Sequence, residues 1–315
     1  DNVKKGINLI KRGNDGITVA ELDKKIIFAA RRHTIKFSGN ENNLQENSDQ
    51  PYYSENKDIS LIFNGEFYNF EKYKEKLKKK GTLFKTQGDT EVLLKLYESK
   101  GIEFLRDKGI DSLYSIAIFD KKLNKIFISR DWPGRIPLYY FCDKEKFIFS
   151  SELKAFKAVK GLSLQKPFEL EPGKIVEFDI ENRELKIVSN YDLQPYFSKN
   201  NNDILKLGQE LHSVLDESAK NRTMGDVPIC TMLSGGIDSV LTTYYVLKNI
   251  NFNKVDFEPT SYVFKVKGFD SIDVKTAKVA TTGFKKIGLK LKVIEAEEKQ
   301  IVDDMPKIVE TFEMR

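Results

Sequence analysis

One stretch constrains this chain more than any other: Asp226–Ser239, which reads DVPICTMLSGGIDS. Val227–Leu233 is a short apolar run bounded by Pro228 near its start and by polar residues after it, the pattern of a buried strand. Ser234, Gly235, Gly236, Ile237, Asp238 and Ser239 predict a sharp turn, and Val240–Leu247 carries a helical pattern. Strand, glycine turn and helix together make a geometry that holds an anion. The N–H groups at the helix start converge, and two glycines let the main chain approach with no Cβ in the way. Ser234 and Ser239 add hydroxyl donors. The turn is not a Walker loop, which needs four residues between its first glycine and a Gly-Lys-Ser/Thr; here the turn is shorter and has no lysine. The plain alternative is an ordinary glycine turn ahead of a helix.

At 315 residues the chain exceeds the usual single-domain size, so two domains are expected. Residues 1–197 show many short strands and few helices. Lys25–Ala29, Ile59–Phe63, Leu113–Phe119, Lys125–Ser129, Ile136–Cys142, Lys146–Ser150 and Lys174–Asp179 read as strands, with Leu185–Asn190 as a partner for the last. Val3–Lys11, Tyr68–Lys80 and Asp89–Gly101 read as helices, the third capped by Thr86 or Asp89. This rhythm predicts an α+β domain of stacked, largely antiparallel sheets. The asparagine-rich segment Ser198–Asp203 reads as a linker. Residues 204–315 then alternate: helix Leu205–Lys220, strand Val227–Leu233, helix Ser239–Asn249, strand Thr260–Lys265, helix Asp273–Ile287, strand Lys290–Ile294 and helix Glu298–Thr311. That alternation predicts an α/β domain with a parallel sheet and helices on both faces. Ligands in such folds bind beyond the carboxyl ends of strands, where Ser234–Ser239 lies.

Composition narrows the function classes. Apolar residues make up 40% and charged residues 31%, as in soluble globular proteins, and the formal charge of +5 is small for the length. The densest basic run, Lys78–Lys80 after Lys74 and Lys76, is expected on the outer face of a helix, as solvated surface and not a nucleic-acid patch. No stretch approaches 18 apolar residues, so no membrane span is expected, and signal-peptide features are absent. Cys142 and Cys230, the two cysteines, sit in strand-like contexts and suit a reducing, cytoplasmic setting. His33 and His212 alone cannot build a histidine metal site. The chain opens on Asp1, not methionine, and Phe312–Arg315 looks like the inside of an element, so structure is expected to be missing at both ends.

SGGIDS matches the SGGxDS hallmark of the ATP-pyrophosphatase superfamily, whose members cleave ATP between the α and β phosphates to make acyl-adenylates. With NGEFYN (Asn64–Asn69), GDTEV (Gly88–Val92), SRDWPGRIPLYY (Ser129–Tyr140) and SSELKA (Ser150–Ala155) in order ahead of it, the whole chain resembles glutamine-dependent asparagine synthetase. The resemblance implies an Ntn-type class II glutamine amidotransferase domain followed by an adenylate-forming synthetase domain incomplete at its C-terminus. The activity it implies is ATP-dependent amidation of aspartate to asparagine via β-aspartyl-AMP, with ammonia from glutamine carried through an internal channel. ATP and Mg²⁺ are the implied cofactors, glutamine and aspartate the other small-molecule substrates, and a homodimer the implied assembly.

Carried over residue by residue, the resemblance makes Arg32 the grip on the glutamine α-carboxylate, a pairing apt for a guanidinium fork. Asn64 and Gly65 become the oxyanion-hole donors, worth ~3 kcal/mol each, where the bare residues read as a plain turn. Glu66 and Asp89 hold the α-amine. In the second domain, Leu233, Ser234, Gly235, Gly236, Asp238 and Ser239 bind ATP, and Asp238 helps place Mg²⁺, a hard oxygen ligand for a hard ion. Val263 belongs to the strand whose backbone reads adenine, or is simply a core valine; Asp273 resembles an acidic residue of the nucleotide region. Glu310 resembles a glutamate proposed to handle the ammonia proton, or is a solvent-exposed helix residue.

The family's nucleophile is an N-terminal cysteine whose own α-amine is the base. This sequence shows none, and Cys142 is no substitute. Either the start is not included or the protein uses free ammonia. Ala30-Arg31 stand where the family has His-Glu, and Trp132-Pro133 where it has Pro and an apolar residue. The family's SGEGSDE segment and adenylate lysine are not present either, so this chain alone is expected to show little synthetase activity, an expectation that AMP and asparagine formation by it would sink. Two rivals share the motifs: a β-lactam or carbapenam synthetase-like cyclase, and an inactive homologue with a scaffolding or regulatory role.

Overall fold

The computed structural model describes residues 2–33, 49–162, 166–190, 203–223, 228–250 and 258–313. They form two compact units, within residues 1–198 and 199–315. The expected linker, apart from Asp203, lies outside the described residues, as does Val227.

In the first unit, helix α1 (Asn2–Leu9) precedes a hairpin of β1 (Gly16–Asp23) and β2 (Ile26–Arg32). A six-stranded antiparallel sheet follows, built from β3 (Tyr52–Tyr53), β4 (Ile59–Phe67), β5 (Ser112–Asp120), β6 (Lys125–Arg130), β10 (Lys174–Asp179) and β11 (Glu184–Asn190), in the order β11-β10-β6-β5-β4-β3. A three-stranded sheet joins β7 (Tyr139–Cys142), β8 (Phe147–Ser150) and β9 (Phe168–Glu169). The period-2 alternation of the six-stranded sheet divides its side chains between two cores. Leu61, Phe63, Ile116, Ile118 and Phe127 face helices α2 (Phe70–Lys78) and α3 (Asp89–Lys100). Ala117, Phe119, Ile126, Ile128 and Val176 face the other way, with Phe28 of β2 and Leu138. Each of the larger of these side chains contributes ~1.5–3 kcal/mol of burial, so the central strands are pinned from both faces.

Three local readings change. The strand β1 is not among the strands read from the sequence, because its polar Thr18 and Glu21 mask the alternation. Asn64-Gly65-Glu66 is not a turn but the continuation of β4, paired with Ser115, Tyr114 and Leu113 of β5. The lysines of α2 do not all face outward: Lys74 is 1% exposed, because it shares the helical stripe of Phe70, Tyr73 and Leu77.

The second unit contains α4 (Ile204–Arg222), β12 (Cys230–Met232), α5 (Ile237–Asn249), β13 (Thr260–Val266), α6 (Ile272–Thr282), β14 (Lys290–Ala296) and α7 (Glu298–Phe312). The strands form a parallel sheet in the order β12-β13-β14. Asp203 caps α4 by accepting the Lys206 N–H at 3.0 Å. Right-handed crossovers between successive neighbours place both connecting helices on one side. Accordingly, Leu247 of α5 and Val274 and Ala277 of α6 share one core with Leu233 and Val263. Among the described residues the opposite face, with Met232, Phe264 and Ile294, stays exposed, so the two-faced packing expected from the alternation is not what these elements show.

Candidate functional site

The first unit holds a cavity of about 1370 Å³ lined by Arg32, Asn64, Gly65, Glu66 and Asp89 together. Five residues spread over 58 positions of sequence are brought to one wall by β2, β4 and the N-terminus of α3. Strand β4 presents Asn64 and Glu66 on the side opposite its buried Phe63 and Phe67. The Asn64 amide is exposed and makes no hydrogen bond to a described residue, so its N–H is available to a ligand oxygen. Gly65 is required by the neighbouring strand: a Cβ there would stand 2.0 Å from the Leu113 carbonyl oxygen. The Gln50 side chain fixes the preceding residue, donating to the Phe63 carbonyl at 2.9 Å and accepting its N–H at 2.7 Å.

Asp89 is the first residue of α3. Its Oδ2 accepts the Phe67 N–H at 3.0 Å and its Oδ1 the Thr90 hydroxyl at 3.2 Å, which ties the carboxylate to the end of β4 beside Glu66. The N-cap is Gly88, with no side-chain cap, in place of the expected Thr86 or Asp89. Burial pushes the Asp89 carboxyl above the usual aspartate range, against the hydrogen bonds from Phe67 and Thr90 that pull it down. A carboxylate short of solvent in this way gains most from a cation placed against it. Arg32, at the end of β2, holds Asp49 at 2.9 Å through Nη1. The wall therefore carries a cationic fork and a pair of carboxylates, complementary to a zwitterion.

Arg31, which departs from the family pattern, and the Ser129–Tyr140 motif both have structural roles. Arg31 donates to the Ile10 carbonyl at 2.5 Å and the Gly13 carbonyl at 2.6 Å, clamping the end of α1. Arg130 donates to Glu169, Leu170 and Gly134, and the fully buried Asp131 accepts the Arg135 Nε at 3.0 Å. The Ser129–Tyr140 motif is thus scaffold, with Trp132 at its exposed surface. Cys142 is half-buried in β7, and burial raises its thiol pKa, the reverse of what a nucleophile needs.

In the second unit the glycine turn is shorter than its sequence suggests, because Ile237, Asp238 and Ser239 already form the first turn of α5. Leu233 is buried, and its N–H donates to the Tyr262 carbonyl at 2.8 Å, carrying β12 directly into the loop. Ser234 Oγ lies 3.1 Å from Ser239 Oγ and accepts the Gly236 N–H at 3.4 Å. No side chain caps α5 at Gly236, so its first N–H groups point at the open end of the loop, with the partial positive charge of the helix behind them. Gly235 has φ +83°, and a Cβ would stand 2.5 Å from Thr276 of α6. Thr276 Oγ1 in turn donates to the Ser234 carbonyl at 2.7 Å, fastening loop to helix. Sequence reasoning missed Thr276, since nothing local marks it.

Asp238 is exposed in the first turn of α5, and Asp273 occupies the same place in α6. Among the described residues no group of three or more His, Cys, Asp or Glu is placed for a metal. One carboxylate beside an anion loop suits a Mg²⁺ ion held mostly by phosphate and water oxygens. Val263 is a core residue of β13, able to offer a ligand only its backbone. Glu310 is exposed on α7.

Residues 3–173, more than half of the chain, match the family model described as glutamine amidotransferase domain. The chain belongs to that family. Residues 210–314 match a second model, described as asparagine synthase. Amidotransferase and synthase segments therefore follow one another in a single chain, with the cavity in the first and the glycine loop in the second. A Methanocaldococcus jannaschii protein carrying the name asparagine synthetase (glutamine-hydrolyzing) is 33% identical over 231 residues, 64% of this chain and 44% of that protein. Asparagine synthetase (glutamine-hydrolyzing) 2 of Bacillus subtilis is 30% identical over 259 residues, 71% of this chain and 33% of that protein. Asparagine synthetase B of Escherichia coli is 28% identical over 272 residues, 84% of this chain and 47% of that protein. In each case the match spans less than half of the relative's length.

Proposed function

We propose that this amidotransferase-family chain serves ATP-dependent amidation of aspartate, with glutamine as nitrogen donor and β-aspartyl-AMP as the activated acid. The observation that carries the reading is the pairing of a zwitterion-complementary cavity with an uncapped glycine loop of the ATP-pyrophosphatase pattern; the names of the relatives supply the substrates.

In the cavity, Arg32 takes the glutamine α-carboxylate as a fork, and Glu66 and Asp89 take the α-ammonium. Anchoring both charges leaves the side-chain amide beside Asn64 and Gly65. The Asn64 amide and the Gly65 N–H donate to the amide oxygen and stabilise it as it gains negative charge under attack. In the second unit, the N–H groups at the start of α5 and the hydroxyls of Ser234 and Ser239 hold the β and γ phosphates. Leu233 and Val263 supply apolar and backbone contacts to the nucleoside. Asp238 beside those phosphates would repel them alone, and would instead help hold a Mg²⁺ ion that would neutralise their charge when bound. The aspartate carboxylate attacks the α-phosphorus and pyrophosphate leaves; ammonia then displaces AMP. Glu310 carries a proton role by resemblance.

We place the protein in the cytoplasm and its active form as a homodimer. Its two cysteines are unpaired, and among the described residues no helix is long and apolar enough to cross a membrane. Aspartate-stimulated exchange of pyrophosphate into ATP, measured on the full gene product, tests the reading. Exchange with aspartate and not with other carboxylates supports it. Exchange with a different carboxylate points to an adenylating cyclase, and none with any amino acid points to an inactive homologue.

A further inference from the structure

Glu91 is 2% exposed, and besides the Tyr52 hydroxyl that faces it its carboxylate is spent on the loop before α3. Its carboxylate accepts the Lys85 N–H at 2.9 Å through Oε1, and the Thr86 N–H at 2.6 Å and hydroxyl at 2.7 Å through Oε2. The same Thr86 oxygen accepts the Gly88 N–H at 3.2 Å. From the other side, the buried Lys74 donates to the Thr86 carbonyl at 3.0 Å and to the Gln87 side chain at 2.8 Å. A buried anion and a buried cation, from different helices, thus grip four consecutive residues, 85–88, that end at Asp89.

Residues i and i+2 of a helix do not face each other, so Glu91 does not act on Asp89 directly. It acts through the loop, whose last peptide sets where α3 begins and hence where the Asp89 carboxylate points. That carboxylate meets the Phe67 N–H in a single orientation, and a loop that shifts carries it off the wall. A general packing role would be met more cheaply by an apolar residue, since burying a charge costs free energy unless its oxygens are satisfied. Spending a carboxylate on the loop before Asp89 makes sense if the position of Asp89 is what must be fixed.

We propose that Glu91 is a positioning residue for recognition of the substrate α-amine: with Thr86 and Lys74, it locks the loop that aims Asp89 into the cavity. This rests on reading the cavity as a glutamine site. The isosteric Glu91→Gln variant keeps the volume but turns an NH₂ group toward backbone donors. Thr86→Val, the second variant, removes the hydroxyl that links Glu91 to Gly88.

The test is binding of L-glutamine and of 4-carbamoylbutanoate, which is glutamine without its amine, measured by ligand-observed NMR on the intact chain. Folding of each variant is checked by near-UV circular dichroism. Both variants are expected to lose about tenfold in glutamine affinity while binding 4-carbamoylbutanoate like the parent. In an Asp89→Asn background the added Glu91→Gln change is expected to alter glutamine affinity less than twofold, since neighbours that act through one another are non-additive. Equal weakening toward both ligands, or additive losses with Asp89→Asn, would make Glu91 mere scaffold and overturn the proposal. If the parent chain binds neither ligand, the glutamine reading of the cavity itself falls, and the proposal with it.

Discussion

Gly235→Ala is the substitution whose consequence can be worked most directly from the loop. At φ +83° an L-residue carries ~1–2 kcal/mol of local strain. The new Cβ would also stand 2.5 Å from three atoms of Thr276, one of them the backbone carbonyl carbon of α6. Backbone cannot swing aside as a side chain can, so overpacking adds ~1–3 kcal/mol. The sum is about 2–5 kcal/mol. Gly236→Ala is the internal control: Gly236 has φ −70°, and its Cβ would meet only Ser234 Oγ, at 3.6 Å. That variant is expected to cost about 1 kcal/mol or less, from a poorer N-cap, while still crowding an anion at the loop. The assay is urea denaturation followed by circular dichroism, alongside calorimetric titration with Mg·ATP. A large stability loss is expected for Gly235→Ala, a small one for Gly236→Ala, and weakened ATP binding for both. Equal stability losses would refute the steric reasoning. Undiminished ATP binding in both variants would refute the loop's role.

Three further outcomes follow from the site. Arg32→Lys keeps the charge but loses the planar fork, and glutamine affinity by calorimetry should fall about tenfold. Burial raises the Asp89 carboxyl, and an ammonium binds its ionised form. Glutamine affinity should therefore fall as pH drops through a window above the ordinary aspartate range, and Asp89→Asn should flatten that profile. The sign for stability is opposite: the buried ionised carboxylate costs stability at neutral pH, and that cost is relieved on acidification, which a pH series of urea midpoints reads. Asp238→Asn should raise the Mg²⁺ concentration needed for half-maximal ATP binding severalfold while leaving stability within ~0.5 kcal/mol, as for an exposed residue.

The sequence made the glycine loop legible because strand, Gly-Gly and helix stand side by side in the chain. The cavity residues were legible only as ordered motifs, since their meeting depends on strand pairings between segments far apart. Local reading failed at Asn64–Glu66, where Asn-Gly looks like a turn; nine consecutive pairings with β5 hold it extended instead. It also failed at Lys74, whose charge suggested surface, and nothing local marked Glu91 as buried. The period of Phe70, Tyr73 and Leu77 marked Lys74 as inward, but its partners Thr86 and Gln87 lie beyond the helix, and only the tertiary fold supplies them. Two-faced packing in the second unit was inferred from alternation alone, which does not fix strand order; the order β12-β13-β14 puts α5 and α6 together.

The most direct test of the account is where the nucleotide sits. A crystal structure of this chain with Mg²⁺ and a non-hydrolysable ATP analogue should show the terminal phosphates within hydrogen-bond distance of the backbone N–H groups of residues 235–239, with the metal beside Asp238. Phosphates bound anywhere else, with that helix start left to solvent, would contradict it.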